Sequence, residues 1–198
     1  DSTHPAQLFI SDFDNNGQVE CIPVYYKTDG KAYPINLHDD IIRQLPGMMK
    51  KFLRYDAYAG KSIDEIFTED QLKNASALTV NQTRTCVFYN KGKGSFDMKP
   101  LPVRAQFSPV FTILVSDINR DGIKDLFLGG NFYGLKPEIG RYDANYGVVY
   151  LGNKKYGFDY MPPAQSGLFV TGEVRDVSVI NTKAGKEIIV TRNNDALQ

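Results

Sequence analysis

The chain carries the same nine-residue pattern twice, and no other feature narrows its possible folds as much. DFDNNGQVE occupies residues 12–20 and DINRDGIKD residues 117–125. Both read D-x-[DN]-x-[DN]-G-x-x-[DE], with oxygen side chains at positions 1, 3, 5 and 9 and glycine at position 6. A hard cation such as Ca²⁺ takes about six to eight oxygens at roughly 2.3–2.6 Å, and a tight loop of this composition can offer them. The side-chain donors expected are Asp12, Asp14, Asn16 and Glu20 in the first loop, and Asp117, Asn119, Asp121 and Asp125 in the second. Position-7 carbonyls of Gln18 and Ile123 would complete each shell. Gly17 and Gly122 permit the left-handed turn that returns position 7 toward the ion. The competing reading is an Asp/Asn/Gly hairpin turn without metal. Two copies, each with an acid at position 9, favour two Ca²⁺ sites. On that reading, removing Asp117 should cost stability in Ca²⁺ and leave the chelated protein little changed.

These loops are not EF-hands, which need Glu at position 12 and flanking helices. Position 12 is Pro23 in one loop and Leu128 in the other. The flanks QLFIS, FTILVS and LFLGG read as strands.

Charge is balanced, with 23 basic and 23 acidic residues, which gives no basic field for nucleic acid. No apolar run reaches the length of a membrane span. Twelve Tyr and twelve Phe with scattered Gly and Pro suit many short strands and turns. Cys21 and Cys86 match no zinc spacing. Two buried free thiols are the expectation, with a disulfide in an oxidising compartment as the alternative. The chain starts at Asp1, which suits a mature protein or a cut piece. Loops of this kind suit the millimolar Ca²⁺ outside cells, so an extracellular or cell-envelope location is expected.

The sequence also repeats. Residues 86–102, CVFYNKGKGSFDMKPLP, resemble residues 147–163, GVVYLGNKKYGFDYMPP, at an offset of 61 to 62. Each reads as a hairpin: apolar strand, Gly/Lys turn, Phe-led strand. The same offset sets residues 125–128 on 187–190 and starts a third unit near Glu173, with strands near 174–180 and 186–191. There Asp117 maps to Val179 and Asp121 to Lys183, so a plain turn is expected. Residues 38–76 read as a helical insertion. Asp39 or Asp40 is expected to cap a first helix, and Pro46 to open a second that bears Met49, Phe52 and Leu53 on one face. Ser62/Glu65 and Thr68/Gln71 form capping-box patterns for two more. The expected division is 1–37, a first blade portion; 38–76, the insertion; 77–172, central blades; and 173–198, a degenerate blade portion. The expected class is mainly β: a partial β-propeller of about three four-stranded blades with a small helical insertion, or a twisted sandwich of the same hairpins. Three blades cannot close a ring, and open edges invite further blades or a homo-oligomer.

With those residues in view, the inter-strand loop resembles the FG-GAP/VCBS repeats of integrin-alpha-like β-propellers. The segment FSPVFTILVSDINRDGIKDLFLGGNFYGLKPEIGRYDAN is similar to VCBS-repeat proteins of Bacteroidetes in the cartilage-acidic-protein-like group. The resemblance spans nearly the whole chain and is most specific over residues 107–150. It implies calcium-stabilised blades in secreted or outer-membrane-associated proteins with binding or cell-adhesion roles. Its metal positions fall on Asp12, Asp14, Asn16, Gln18 and Glu20, and on Asp117, Asn119, Asp121, Ile123 and Asp125.

The polar stretch 129–147 supplies the candidate ligand surface: Asn131, Tyr133, Glu138, Arg141, Tyr142 and Asp143. Tyr with Arg and carboxylates suits a protein or glycan ligand. The bland reading is that Glu138, Arg141 and Asp143 pair and pin the loop. A carbohydrate-active enzyme using Glu138 and Asp143 is a further alternative, as is a structural piece that completes a larger propeller or an oligomer. No nucleotide loop or catalytic triad order is present, and the leading expectation is a non-enzymatic binding module.

Overall fold

The computed structural model describes residues 3–183 and 185–198. It is mainly β, with 38% strand and 17% helix, and no closed barrel or propeller ring forms among the described residues. The strands make two four-stranded and two two-stranded sheets, rather than about three four-stranded blades. The chain divides into two compact units, Asp1–Thr83 and Arg84–Gln198.

The first unit holds β1 (Ala6–Ser11), β2 (Glu20–Tyr26), β3 (Ala32–Pro34) and β4 (Ser76–Val80) in the order β3-β2-β1-β4. Along β2 the inward residues alternate, with Glu20, Ile22 and Val24 buried and Cys21 and Tyr25 exposed. Period-2 burial is what a sheet with one covered face requires. The cover is the helical insertion: α1 (His38–Gln44), a 3₁₀ turn (Pro46–Lys50), α2 (Tyr55–Tyr58), α3 (Ile63–Ile66) and α4 (Glu69–Asn74). Ile41, Leu45, Phe52, Ile63, Ile66 and Phe67 close on Ile22 and Val24 in one core. Each fully buried aliphatic side chain there contributes about 1.5–3 kcal/mol.

Both expected capping boxes form. Glu65 accepts from the Ser62 amide at 3.0 Å, and Gln71 accepts from the Thr68 amide at 2.9 Å. Two details of the insertion differ from expectation. The residue before the first turn of α1 is Leu37, and Asp40 accepts its amide from inside the helix at 3.3 Å, so neither Asp39 nor Asp40 is the cap. After Pro46 the chain makes only a 3₁₀ turn, whose tighter period does not stack residues 49, 52 and 53. Phe52 is buried, while Met49 and Leu53 face solvent.

In the second unit, β7 (Val110–Ser116), β8 (Asp125–Gly130), β9 (Val148–Gly152) and β10 (Phe158–Met161) form an antiparallel meander in sequential order. β8 is buried at all six positions. One face gives Leu126 and Leu128 to a cluster with Leu101, Ala105 and Tyr150. The other gives Phe127 to a cluster with Val174, Val177 and Val190. Val174 and Val177 lie on β11 (Val174–Thr182) and Val190 on β12 (Gly185–Arg192), a two-stranded hairpin. A Cβ at Gly130 would run into the Pro109 carbonyl, which accounts for the GG that ends LFLGG.

The hairpin β5 (Cys86–Gly92) and β6 (Ser95–Pro100) forms as the repeat predicts, but as a separate two-stranded sheet, whereas its counterpart β9–β10 joins the meander. The third unit's connection is a tight turn, with Thr182 paired to Gly185; Ala184 lies outside the described residues. Both cysteines are free. Cys21 is exposed and Cys86 half-buried, so the expected burial of the two thiols does not occur.

Candidate metal centre

The two acidic loops share one wiring. Each joins antiparallel strands in the same register, with Ser11 paired to Glu20 and Ser116 to Asp125. The position-1 carboxylate collects two loop amides. Asp12 accepts from Asn16 at 3.0 Å and from Gly17 at 2.8 Å, and Asp117 accepts from Asp121 and Gly122, both at 3.0 Å. The position-5 side chain accepts the position-7 amide: Asn16 from Gln18 at 2.7 Å, Asp121 from Ile123 at 2.8 Å. The position-9 acid reaches back to position 2: Glu20 accepts from Phe13 at 2.9 Å, Asp125 from Ile118 at 2.7 Å. Positions 4 and 6 are left-handed in both, at φ 58° and 85° for Asn15 and Gly17, and 65° and 86° for Arg120 and Gly122.

The acids themselves are arranged differently. In the first loop Asp12, Asp14 and Glu20 each offer a carboxylate oxygen, and these oxygens lie within 4.8 Å of one another. Glu20 is 3% exposed. Three anionic groups gathered so closely, one of them buried, repel one another, and a cation among them relieves that repulsion. Hard carboxylate oxygens are the donor type for Ca²⁺, so the set fits that ion. Among the described residues no other three His, Cys, Asp or Glu side chains gather this way.

The second loop spends its oxygens internally. Asp121 also accepts from the Asn119 side-chain amide at 3.0 Å. The Ile123 amide, and then Asn119, hold the Asp121 carboxyl below the usual carboxylate range. Asp125, fully buried, takes Ile118 and Asn119 amides on one oxygen and the Gly152 amide of β9 on the other at 2.9 Å. Asp125 is thus a clamp between the loop and the third strand. Asp117 accepts two amides, so its removal should cost stability with or without Ca²⁺, where the loop pattern alone predicts a loss only in Ca²⁺.

The polar stretch 129–147 is pinned from within. Asn131 is 1% exposed, at φ 82°. Its side-chain oxygen accepts from Ser108 and from the Asn145 amide, both at 2.9 Å, and its amide donates to the carbonyls of Asn145 at 2.7 Å and Gly172 at 2.9 Å. All four of its hydrogen-bonding capacities are used, so Asn131 is a staple and not a ligand residue. Glu173 is the second pin, accepting from the Tyr133 amide and Arg175 at 2.7 Å and from Asn193 at 2.8 Å. The Tyr133 amide, then Asn193, keep its carboxyl low. Arg141 lies 5.0 Å from the Tyr133 ring centroid instead of pairing with Glu138 or Asp143. Glu138, Arg141, Tyr142 and Asp143 have exposed side chains. Tyr146 stacks on Phe169 at 5.0 Å with an interplanar angle of 7°. The burial of Asn131 had no sequence signal; only its residue type is one that tolerates the positive φ it adopts.

The chain matches no family model, no curated protein and no solved structure.

Proposed function

We propose that the chain is an extracytoplasmic, calcium-stabilised binding module for a protein or glycan ligand, built from propeller-type blades of the FG-GAP/VCBS kind. The observation that carries this reading is the convergence of Asp12, Asp14 and Glu20 in a loop whose wiring recurs over residues 117–125. The sequential meander β7 to β10 has the strand order of a propeller blade and supports the same reading. Ca²⁺ in the first loop would neutralise three crowded carboxylates and fix the β1–β2 connection. The second loop holds its shape by its own amides and is the weaker of two such sites. The exposed face of the polar stretch, with Tyr142 and Arg141, is the candidate ligand surface. The carboxylates Glu138 and Asp143 are exposed there.

A thermal melt in EDTA followed by Ca²⁺ titration tests the reading. A ligand that binds only the folded state adds about 1 to 3 kcal/mol at ten to a hundred times its Kd. The expected result is a saturable rise of several degrees, larger than with equal Mg²⁺. A melt unmoved by Ca²⁺ would reduce both loops to turns and remove the chemistry on which the module reading stands.

A further inference from the structure

The two acidic loops differ at positions 4 and 8, neither of which is in the expected ligand set. Loop one has Asn15 and Val19 there, and loop two has Arg120 and Lys124. The backbone does not ask for cations. Position 4 is left-handed in both loops, at φ 58° and 65°, and Asn adopts that conformation more readily than Arg. A residue kept in the costlier choice points to a use for its side chain.

Arg120 and Lys124 line one cavity with Lys186 of β12. Its volume is ≈ 550 Å³, and Ser116, Asp117 and Gly185 complete the wall. Some cations of the chain sit on acids, as in Lys61–Glu65, Lys73–Glu69 and Arg192–Asp195. Arg120, Lys124 and Lys186 form no ion pair among the described residues. The wall's one acid, Asp117, has both oxygens on the amides of Asp121 and Gly122. Three cations and one acid, Asp117, therefore line the concavity, and none of the three cations is ion-paired to that acid. The chain as a whole is neutral, with 23 charges of each sign, so this is a local site and not part of a long-range basic field.

We propose that this cavity binds the oxyanion of a sulfated or phosphorylated sugar. Arg120 supplies a planar fork that matches two oxyanion oxygens, and the lysines supply mobile point charges. The volume lies in the range of small-molecule sites and exceeds what one oxyanion fills, which leaves room for a sugar ring. The proposal sharpens the glycan half of the module reading and needs no Ca²⁺, so its failure and that of the metal sites are separable.

The test is an NMR titration of ¹⁵N-labelled full chain in EDTA at low salt, with glucose 6-phosphate, glucose 6-sulfate and glucose. Saturable shifts at residues 116–124 and 185–187 are expected with the charged sugars and not with glucose; the tighter of the two identifies the anion. Lys124→Gln and Lys186→Gln should each weaken binding by about tenfold, as loss of one charge-assisted hydrogen bond does, and leave the melting temperature unchanged. Arg120→Asn should weaken binding by a similar factor and melt higher, because it places loop one's residue in the left-handed position. No saturable shift with either charged sugar, equal shifts with glucose, or wild-type affinity in the lysine variants would overturn the proposal.

Discussion

Asp12 and Asp14 stand two residues apart and hold different positions in the same loop. Asp12 carries two backbone amides. Asp14 has no hydrogen bond among the described residues, and its carboxylate points at those of Asp12 and Glu20. Asp14→Ala should therefore leave the melt in EDTA unchanged and abolish the Ca²⁺-induced rise. Asp12→Ala should lower the melt in both conditions, by about 1 kcal/mol in EDTA for the amides it releases. If Asp14→Ala kept the full Ca²⁺ response, loop one would not be the site. His38 gives a separate prediction. Its Nε2 faces the Phe52 carbonyl at 2.8 Å and its Nδ1 faces Asp39 at 3.0 Å, with Tyr55 donating to the other Asp39 oxygen. Two acceptors favour the imidazolium; the Phe52 carbonyl, then Asp39, raise the His38 pKa. A raised folded pKa means stability that is complete below the unfolded value, about 6.5, and is lost as pH rises through the folded value. The first unit should melt lower at about pH 8 than at about pH 6, and His38→Gln should flatten that step. An unchanged step in His38→Gln would assign it elsewhere. The acidic loops and capping boxes were legible in the sequence because each is a local pattern with fixed spacing. Asn131 was not, because its four partners come from positions 108, 145 and 172, and polar composition does not say whether a loop residue faces water or closes on itself.

Among the elements, β8 rests on residues distant in sequence. Tyr150 of β9 is fully buried in the cluster beneath it, donating its hydroxyl to the Pro102 carbonyl and accepting the Ala105 amide, both at 2.9 Å. Burial is the main cause of its raised pKa. Tyr150→Phe keeps the ring and orphans a buried amide and a carbonyl. A loss of about 1–3 kcal/mol is expected in urea unfolding, with little change in the slope. A change below a few tenths of a kcal/mol would mean that the 101–106 segment finds other partners. The strands and hairpins of this unit were readable from apolar runs bounded by Gly and Lys. Their assembly was not: β5–β6 and β9–β10 have near-matching sequences, yet only the second pair extends a four-stranded sheet. Local pattern sets which residues pair across a turn and is silent on which edge a hairpin then joins.

For the molecule as a whole, the repeat foretold the mainly β class and the helical excursion, while the strand order of the first sheet, with β4 beside β1, had no sequence signal. Each unit has its own buried clusters. β8 lies between two strands and is covered on both faces, whereas β4 is an edge with all five residues exposed. Amide hydrogen exchange should separate them. The Phe127 and Leu128 amides should exchange only through global opening of their unit, and those of β4 through local fraying, orders of magnitude faster. Comparable rates in the two strands would contradict the burial of β8. The central amides of β8, and those of Ile22 and Val24 in β2, are then built-in clocks, one for each unit. Read with and without an added ion, they would tell which half of the chain the ion slows.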